Sequence, residues 1–448
     1  MATSVRQFNV ELYQEHLEEA SFLYEQRLTY LNDPEVDWPD IGMWEDRFEA
    51  HIDALVVGGA PAVDVCCDRA CGDAGAAHAA LRVLCRQDEK DAAFAILRAV
   101  DAEDEAIRRA VAEALCREAP ARWLSGILAA LEQDSQLTGI VAHVFGYRRL
   151  PCEDGLRSRL AEKPASGRAE LAWALGRVGS AGSVASLWPL VDDDDERVCE
   201  AAAIALMRLG DDRILDHAIV AAETRAWARR VLGMGGDSKC LPVLVHTLGM
   251  NPSDADAALA VGLLGDLRAV PVLVDLLEDE SAALPAAVAL NTITGARRQA
   301  RVFIPDEFDP DELTDEERSA YDNEGTLPTR NRTPYGNWER RPACDKAGWR
   351  DWLDQNRHRF SREHRWRMGR PVGPAALFEC LECATSPLAV RRATCEEFVI
   401  RYGLDVPFEV DLPVWQQWRF LEKIKQWSAR EASRFAEGRP YFGGRIQA

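Results

Sequence analysis

The 448-residue sequence has few lysines, few histidines and no long apolar run. Six lysines accompany 47 arginines, and the eight histidines are dispersed along the chain. No window of about 18 apolar residues is present, so the sequence predicts no membrane span. The first twenty residues turn acidic quickly and lack an apolar core, which argues against a signal peptide. Twelve scattered cysteines fit free thiols in a reducing compartment, so we expect a cytoplasmic protein.

The chain also lacks net positive charge. Its formal charge is −21 at pH 7. Binding to nucleic-acid phosphates requires a basic face, so the composition argues against nucleic acid as a partner of the whole surface. An acidic surface instead favours solubility and attracts a basic patch on a partner.

Short motifs that mark common enzyme sites are missing as well. The sequence contains no HExxH, no Walker loop, no GxSxG elbow and no dinucleotide fingerprint. The stretch "LGMGGDSK" at 232–239 is rich in glycine, but it follows a helical pattern rather than a strand. We therefore expect no catalytic residues, no cofactor and no enzymatic activity.

One pair of cysteines could bind a metal. Cys380 and Cys383 form a CxxC, with Cys395 downstream and His364 upstream, and four such ligands could hold zinc. The pair lies in "LFECLECATS", a helical pattern, and no second CxxC accompanies it. We favour buried or partly buried thiols and expect no metal, with zinc as the alternative.

The sequence does contain a short motif that recurs about every 30 residues. It reads "ALGRVGS", "ALMRLGDD", "VLGMGGD", "GLLGDLRAV" and "LNTITGA". The glycines near its end are Gly179, Gly210, Gly236, Gly265 and Gly295, spaced by 31, 26, 29 and 30 residues. Periods of this size indicate stacked helical pairs.

Each unit is predicted to be a helix, a turn and a second helix. In 197–210, apolar side chains fall on one helical face, and alanine dominates that face, so neighbouring helices can approach closely. Gly210 can take the left-handed conformation that ends a helix. Pro242 and Pro271 suit the first turn of the helix that follows. Because one pair cannot bury its apolar face alone, stacking makes a continuous core.

These observations predict an all-α, HEAT-like α-solenoid over 90–300. The pattern "AVPVLVDLLEDESAALPAAVAL" resembles the short bacterial HEAT repeats, also called phycobilisome-lyase-type repeats. Residues 1–89 are predicted to form an N-terminal helical cap, with helices over 8–32 and 43–57. Residues 346–448 form a C-terminal helical region, in which three helices follow residue 370. We expect those three helices to extend or cap the array.

An irregular insertion is predicted over 301–345, and unusual composition continues to about 366. Ten acidic residues lie between 306 and 324, whereas 330–370 holds twelve arginines and lysines against five acids. One interpretation pairs the basic half with the acidic half or with the array. The other is a recognition surface, because Trp, Tyr and Arg are enriched at binding hot spots. The candidate partner-binding residues are Tyr335, Trp338, Arg340, Arg341, Trp349 and Trp352.

The two ends of the chain carry a wider resemblance. "HLEEASFLYEQR" followed by "WEDRFEAHIDAL" resembles the N-terminal signature of an uncharacterised bacterial HEAT-repeat family. "GWRDWLDQNRHRF" followed by "RMGRPVGPAAL" resembles its C-terminal part. Genes of such proteins often lie beside type VI secretion components and effectors. The curved helical array predicts a non-enzymatic scaffold that holds a protein partner along its concave face. The resemblance makes a secretion-system adaptor or an effector chaperone the sharpest form of this hypothesis, and it supplies no catalytic residues.

A HEAT-like DNA-binding or DNA-repair protein of the glycosylase kind is the alternative. Such folds line a concave face with basic and aromatic groups, here Arg225, Arg229, Arg230, Trp173 and Trp227. The simpler interpretation is that these arginines pair with acidic turns of the adjacent repeat and the tryptophans fill gaps between repeats. A HEAT-type di-iron hydroxylase is disfavoured, because the sequence has no His-Glu dipeptide.

Overall fold

A computed structural model describes residues 4–101, 104–133, 136–162, 167–305, 313–324 and 336–447. Over these residues the chain forms 23 α-helices and three separate two-stranded antiparallel ribbons. The predicted all-α solenoid is confirmed.

Three helices precede the array and pack on one another: α1 (Val5–Asn32), α2 (Gly42–Gly58) and α3 (Ala60–Arg69). Ser4 begins α1, since its side chain accepts a hydrogen bond from the amide of Gln7. Leu23, Ile52 and Leu55 lie fully buried between these helices and the array.

The array consists of two layers whose helices alternate along the chain. The inner layer comprises α4 (Ala74–Gln87), α6 (Glu105–Glu118), α8 (Thr138–Tyr147), α10 (Arg168–Val178), α12 (Glu196–Arg208), α14 (Ala226–Gly235), α16 (Ala255–Leu264) and α18 (Ala283–Thr294). The outer layer comprises α5 (Lys90–Ala99), α7 (Leu124–Gln133), α9 (Glu153–Ala161), α11 (Val184–Leu187), α13 (Arg213–Ala221), α15 (Leu241–Met250) and α17 (Val270–Leu276). Each inner helix packs against the next, and α4 packs against α1, so one core runs the length of the array.

Small residues set the distance between inner helices. A Cβ built on Gly176 would lie 2.7 Å from Cα of Ala205, and one on Gly233 would lie 2.7 Å from Cα of Ala260. The backbones of successive inner helices therefore touch at these positions. This is the close approach that the alanine-rich faces predicted.

The recurring motif forms the turn after an inner helix, which leads to the next outer helix in every case except Gly295, where β1 follows. Gly210, Gly265 and Gly295 adopt φ values of +85°, +72° and +62°. Pro242 and Pro271 stand in the first turns of α15 and α17. Both features agree with the predicted roles of these residues.

Beyond the array, the described elements are β1 (Gln299–Pro305), α19 (Asp315–Glu324), β2 (Gly336–Pro342), α20 (Lys346–Asn356), β3 (Trp366–Arg367), β4 (Arg370–Pro371), α21 (Pro374–Glu382), α22 (Leu388–Tyr402), α23 (Val414–Glu431), β5 (Tyr441–Phe442) and β6 (Arg445–Ile446). β1 pairs antiparallel with β2, so the two ends of the predicted insertion form a ribbon. Part of the acidic run and Tyr335 lie outside the described residues.

The C-terminal helices neither extend the array nor simply cover its last repeat, so that expectation was wrong. Helix α22 packs across the inner layer, against α12, α14 and α16, while α23 reaches α2. Ten of the fifteen residues of α22 are buried. A helix with so much buried surface needs neighbours on several sides, which a position across the inner layer provides. The C-terminal region thus folds back over the inner layer and joins it to the N-terminal helices.

The segment 365–369 attaches this region to the repeat corners. The amide of Trp366 donates a 2.8 Å hydrogen bond to the carbonyl of Gly265. The guanidinium of Arg365 donates to the carbonyl of Leu264 at 2.5 Å. Because helix C-termini leave carbonyl groups unpaired and carry partial negative charge, an arginine is well suited to bind them.

Candidate binding groove

A groove of about 610 Å³ lies between the inner layer and the folded-back C-terminal region. Helices α6 to α16 of the inner layer form one side, and α22 with the loop 409–411 forms the other. Ile204, Met234 and Leu259 contribute apolar surface. Charged residues that also line it are Arg109, Arg177, Arg197, Glu200, Arg230, Asp256, Arg392, Glu396, Glu409 and Asp411. A concave site with apolar surface and a limited set of polar groups is the usual form of a binding pocket.

Buried ion pairs hold the two sides of the groove together. Glu396 of α22 accepts hydrogen bonds from Arg177 of α10 at 2.8 Å and from Arg208 of α12 at 2.7 Å. Arg177 also pairs with Glu409 at 3.0 Å. Burial alone would raise the pKa of Glu396, but the charges of Arg177 and Arg208 lower it to about 2. The carboxylate therefore stays ionised at neutral pH and fixes α22 on the inner layer.

The loop at the N-terminal end of the groove is held by its backbone. The carbonyl of Asp411 accepts from Arg27 of α1 at 2.6 Å and from Arg117 of α6 at 2.9 Å. The amide of Val414 donates to Glu45 of α2 at 2.7 Å. Side chains of α1, α2 and α6 therefore position the loop that includes Asp411, which forms part of one side of the groove.

Three side chains stack at this end of the groove. The rings of His143 and Trp173 lie nearly parallel with centroids 4.7 Å apart, and the guanidinium carbon of Arg177 lies 3.7 Å from the Trp173 centroid. Burial lowers the pKa of His143, so its imidazole is neutral at pH 7. The Tyr147 hydroxyl and Nη1 of Arg177 are buried and have no hydrogen-bond partner among the described residues. A bound polar group that reaches them would gain two hydrogen bonds.

Sequence reasoning missed the residues that build this groove. A signal was present, because "TCEEFVIRYG" places Glu396 and Glu397 next to each other in an otherwise apolar helical pattern. Acidic side chains on a buried helix require cationic partners. Nothing local identifies those partners, since Arg177 and Arg208 lie some 190 to 220 residues earlier.

The structure places the predicted partner-binding residues in different environments. Trp338 on β2 is 58% exposed and packs edge-to-face on Phe303 of β1, with 5.6 Å between centroids. Arg340 pairs with Asp37 and also donates to the carbonyl of Glu35 at 3.1 Å. Trp338 therefore remains a candidate surface contact, whereas Arg340 attaches the ribbon to the loop between α1 and α2.

The other predicted contacts are more enclosed. Trp349 is fully buried, and its indole nitrogen donates to the carbonyl of Ala343 at 2.6 Å. Trp352 is half-buried and lies edge-on to Trp349. Arg341 pairs with Glu339 of its own strand. Assigning Trp349 to a contact surface was wrong, because its ring fills the core beneath α20.

Residues considered for DNA binding form ion pairs within the array or are buried in it. Arg230 pairs with Glu200 at 2.7 Å and with Asp256 at 2.8 Å, which lie on the preceding and following inner helices. Arg229 pairs with Asp254 at 3.0 Å, and Trp227 is buried. These contacts match the simpler interpretation, in which the arginines hold adjacent repeats together.

The cysteines considered for zinc are both buried. The Sγ atom of Cys380 accepts from the hydroxyl of Thr394 at 3.4 Å, and Cys383 is 3.4 Å from the hydroxyl of Thr385. Within the described ranges, no group of three or more histidine, cysteine, aspartate or glutamate side chains is arranged to hold a metal ion.

No single helix in the described part of the chain is long and apolar enough to cross a membrane. The consecutive segments Trp38–Gly58 and Ala60–Arg69 reach the required length and composition only when taken together, across a 120° bend.

Comparison with known proteins supports the repeat architecture. Residues 153–221, which span α9 to α13, match the family model described as HEAT repeats. No curated protein matches the sequence. The matched segment contributes Trp173, Arg177 and Ile204 to the groove. Sequence match and helical arrangement agree that this chain contains HEAT repeats.

Proposed function

We propose that the protein is a non-enzymatic scaffold whose groove receives a segment of a partner protein. The observation that carries this proposal is a groove with apolar surface between two walls joined by buried ion pairs. Such a site keeps its shape without a ligand, so binding costs less ordering of the protein. HEAT repeats commonly serve as protein-interaction scaffolds, which supports the same function.

The sharpest form of the proposal is an adaptor or effector chaperone of a type VI-like bacterial secretion system. The resemblance of the terminal segments supports it. The net charge of −21 favours a partner that approaches with a basic surface. The groove then supplies apolar contacts for the part of the partner that becomes buried.

Filling the groove tests the proposal. Ala389 lines the groove near the start of α22 and is exposed, so Ala389→Trp adds bulk there without entering the core. We expect this variant to lose at least roughly tenfold of the partner recovered with the tagged wild-type protein from the native cell. Ala60→Trp is the matched control, because Ala60 is exposed on α3 and does not line the groove.

The outcomes separate the two parts of the proposal. Mass spectrometry of the wild-type pull-down is expected to identify one protein at near-stoichiometric yield. Absence of any stable partner, in cells that express the neighbouring gene products, would contradict the scaffold. Recovery of an undiminished partner with Ala389→Trp would contradict the groove as its site.

The ribbon of β1 and β2 is tested with Trp338→Ala. If the exposed ring is a binding anchor, its removal is expected to weaken partner binding at least roughly tenfold while leaving thermal stability nearly unchanged. Val220→Ala, at an 83% exposed position on α13, is the control. Trp349 is unsuitable for this test, because alanine at a buried tryptophan costs about 3–5 kcal/mol of stability. Unchanged partner recovery with Trp338→Ala would show that the ribbon takes no part.

A further inference from the structure

A second surface lies where α23 meets α2. Trp415 and Trp418, three residues apart on α23, are 53% and 43% exposed, and Met43 in the first turn of α2 is 61% exposed. A Cβ on Gly42 would lie 3.4 Å from Cβ of Val414, so Met43 and Trp415 flank the same helix junction. No described residue of α23 lines the groove, so this surface is separate from it.

This surface is held in place from beneath. Trp418 packs on Trp38 with 4.9 Å between ring centroids, and Trp38 is in turn covered by the guanidinium of Arg391 at 4.1 Å. Leu421 and Ile424 of α23 are buried in a core cluster that also contains Trp38 and Phe398. The two indoles are therefore presented by a fixed helix, and a partner that covers them orders little of this protein.

The exposed side of α23 is basic, although the chain as a whole is strongly acidic. Its exposed charged residues are Arg419, Glu422, Lys423, Lys425 and Arg430. Arg430 pairs with Glu431 at 3.0 Å, so three cations and one acid remain on this side of α23, in a protein whose net charge is −21. The guanidinium of Arg419 lies 5.8 Å from the ring of Trp415, so charge and aromatic surface are adjacent.

We propose that Met43, Trp415, Trp418, Arg419 and Lys423 bind an acidic amphipathic segment of a partner protein. Its apolar side chains cover the two indoles, and its carboxylates pair with the two cations. Exposed Trp, Met and Arg are the residue types enriched at interface cores and hot spots. Opposite charge selects the partner and steers its approach.

Two other occupants fit the surface less well. A symmetric contact between two copies would place Arg419 and Lys423 of each copy near the same cations of the other, which is repulsive. An interfacial membrane helix inserts a wide apolar face into lipid. The apolar face of α23, which includes Leu421 and Ile424, is instead buried in the protein core.

The test uses the full-length protein and fluorescein-labelled 16-residue peptides. Each peptide has Leu, Phe or Met at helical three- and four-residue spacing and Glu elsewhere, and binding is followed by anisotropy at low salt. We expect saturable binding that weakens at least roughly tenfold when Gln replaces Glu in the peptide. Trp415→Ala and the double variant Arg419→Glu/Lys423→Glu are each expected to weaken it similarly. Arg362→Glu, at an exposed position outside this surface, is the control.

Four results would overturn the proposal. Two concern the peptides: none of them binds, or the Glu and Gln peptides bind equally well. The other two are tighter binding to phosphatidylserine vesicles than to the peptides, and self-association of the protein that Trp415→Ala abolishes. Ala389→Trp is expected to leave peptide binding unchanged. Failure of this surface and failure of the groove are therefore distinguishable.

Discussion

Replacing Glu397 with glutamine is expected to lower the free energy of unfolding by about 3–5 kcal/mol. Glu397 lies fully buried on α22 and pairs with Arg367 at 2.8 Å and Arg401 at 2.9 Å, whose side chains are also fully buried. Glutamine keeps the shape and removes the charge. Two guanidinium groups then remain in the core without a counter-charge, which costs far more than an exposed ion pair contributes.

A third buried arginine adds to this expectation. Burial and the charge of Arg401 lower the pKa of Arg365 to about 9, whereas Glu397 acts to raise it. Three cations therefore depend on one carboxylate in this cluster. Their remaining support comes from backbone carbonyls, such as that of Gly236, which accepts from Arg365 at 3.1 Å and from Arg401 at 3.3 Å.

Urea denaturation at pH 7, followed by circular dichroism and tryptophan fluorescence, measures the loss. Glu382→Gln is the matched control, because Glu382 is exposed on the neighbouring α21 and its substitution is expected to change stability by less than about 0.5 kcal/mol. A loss below about 1 kcal/mol for Glu397→Gln would contradict the argument. It would mean that backbone carbonyls alone compensate the three arginines.

Gly265→Ala is expected to destabilise the protein much more than Gly210→Ala, although both glycines end an inner helix in the left-handed region. That backbone conformation costs a non-glycine residue about 1–2 kcal/mol. At Gly210 a Cβ would meet no atom within 4 Å, so this cost is the whole expected effect. At Gly265 a Cβ would lie 2.2 Å from the carbonyl oxygen of Trp366. The segment 365–369 must then move, which is expected to cost a further ~1–3 kcal/mol.

The two variants form a matched pair, because the chemical change and the backbone region are the same. The difference between their unfolding free energies reports how tightly the C-terminal region is attached to the repeat corners. Equal losses would contradict a close contact between Trp366 and Gly265. Gly295→Ala provides a second case, since a Cβ there would lie 2.4 Å from the carbonyl of Met368.

Much of the array could be predicted from local sequence. An apolar face recurs at helical spacing, a glycine follows each of the last five inner helices, and proline stands in the first turns of α15 and α17. These signals act within a few residues of one another. Gly210 and Pro242 were assigned their roles on this basis, and the structure agrees. Alanine at the helix contacts likewise predicted the short distance between neighbouring backbones.

The environment of individual side chains outside the repeat could not be predicted in this way. Trp338 and Trp349 lie eleven residues apart in the same basic, aromatic segment, and composition treats them alike. One is exposed on a two-stranded ribbon, and the other lies on α20 with its ring fully buried in the core. Whether such a ring is exposed depends on how the segment packs against α17 and α18, and local composition does not encode that packing.

The solenoid of helical pairs is specified by local sequence, because a repeated unit needs only its neighbours to bury its apolar face. The return of the C-terminal region over the inner layer, and the groove that it leaves there, depend instead on contacts between distant parts of the chain. The contacts responsible, Glu396 with Arg177 and Asp411 with Arg27, join residues more than 200 positions apart. Pairing over such distances depends on the curvature of the whole array, and no local periodicity specifies it.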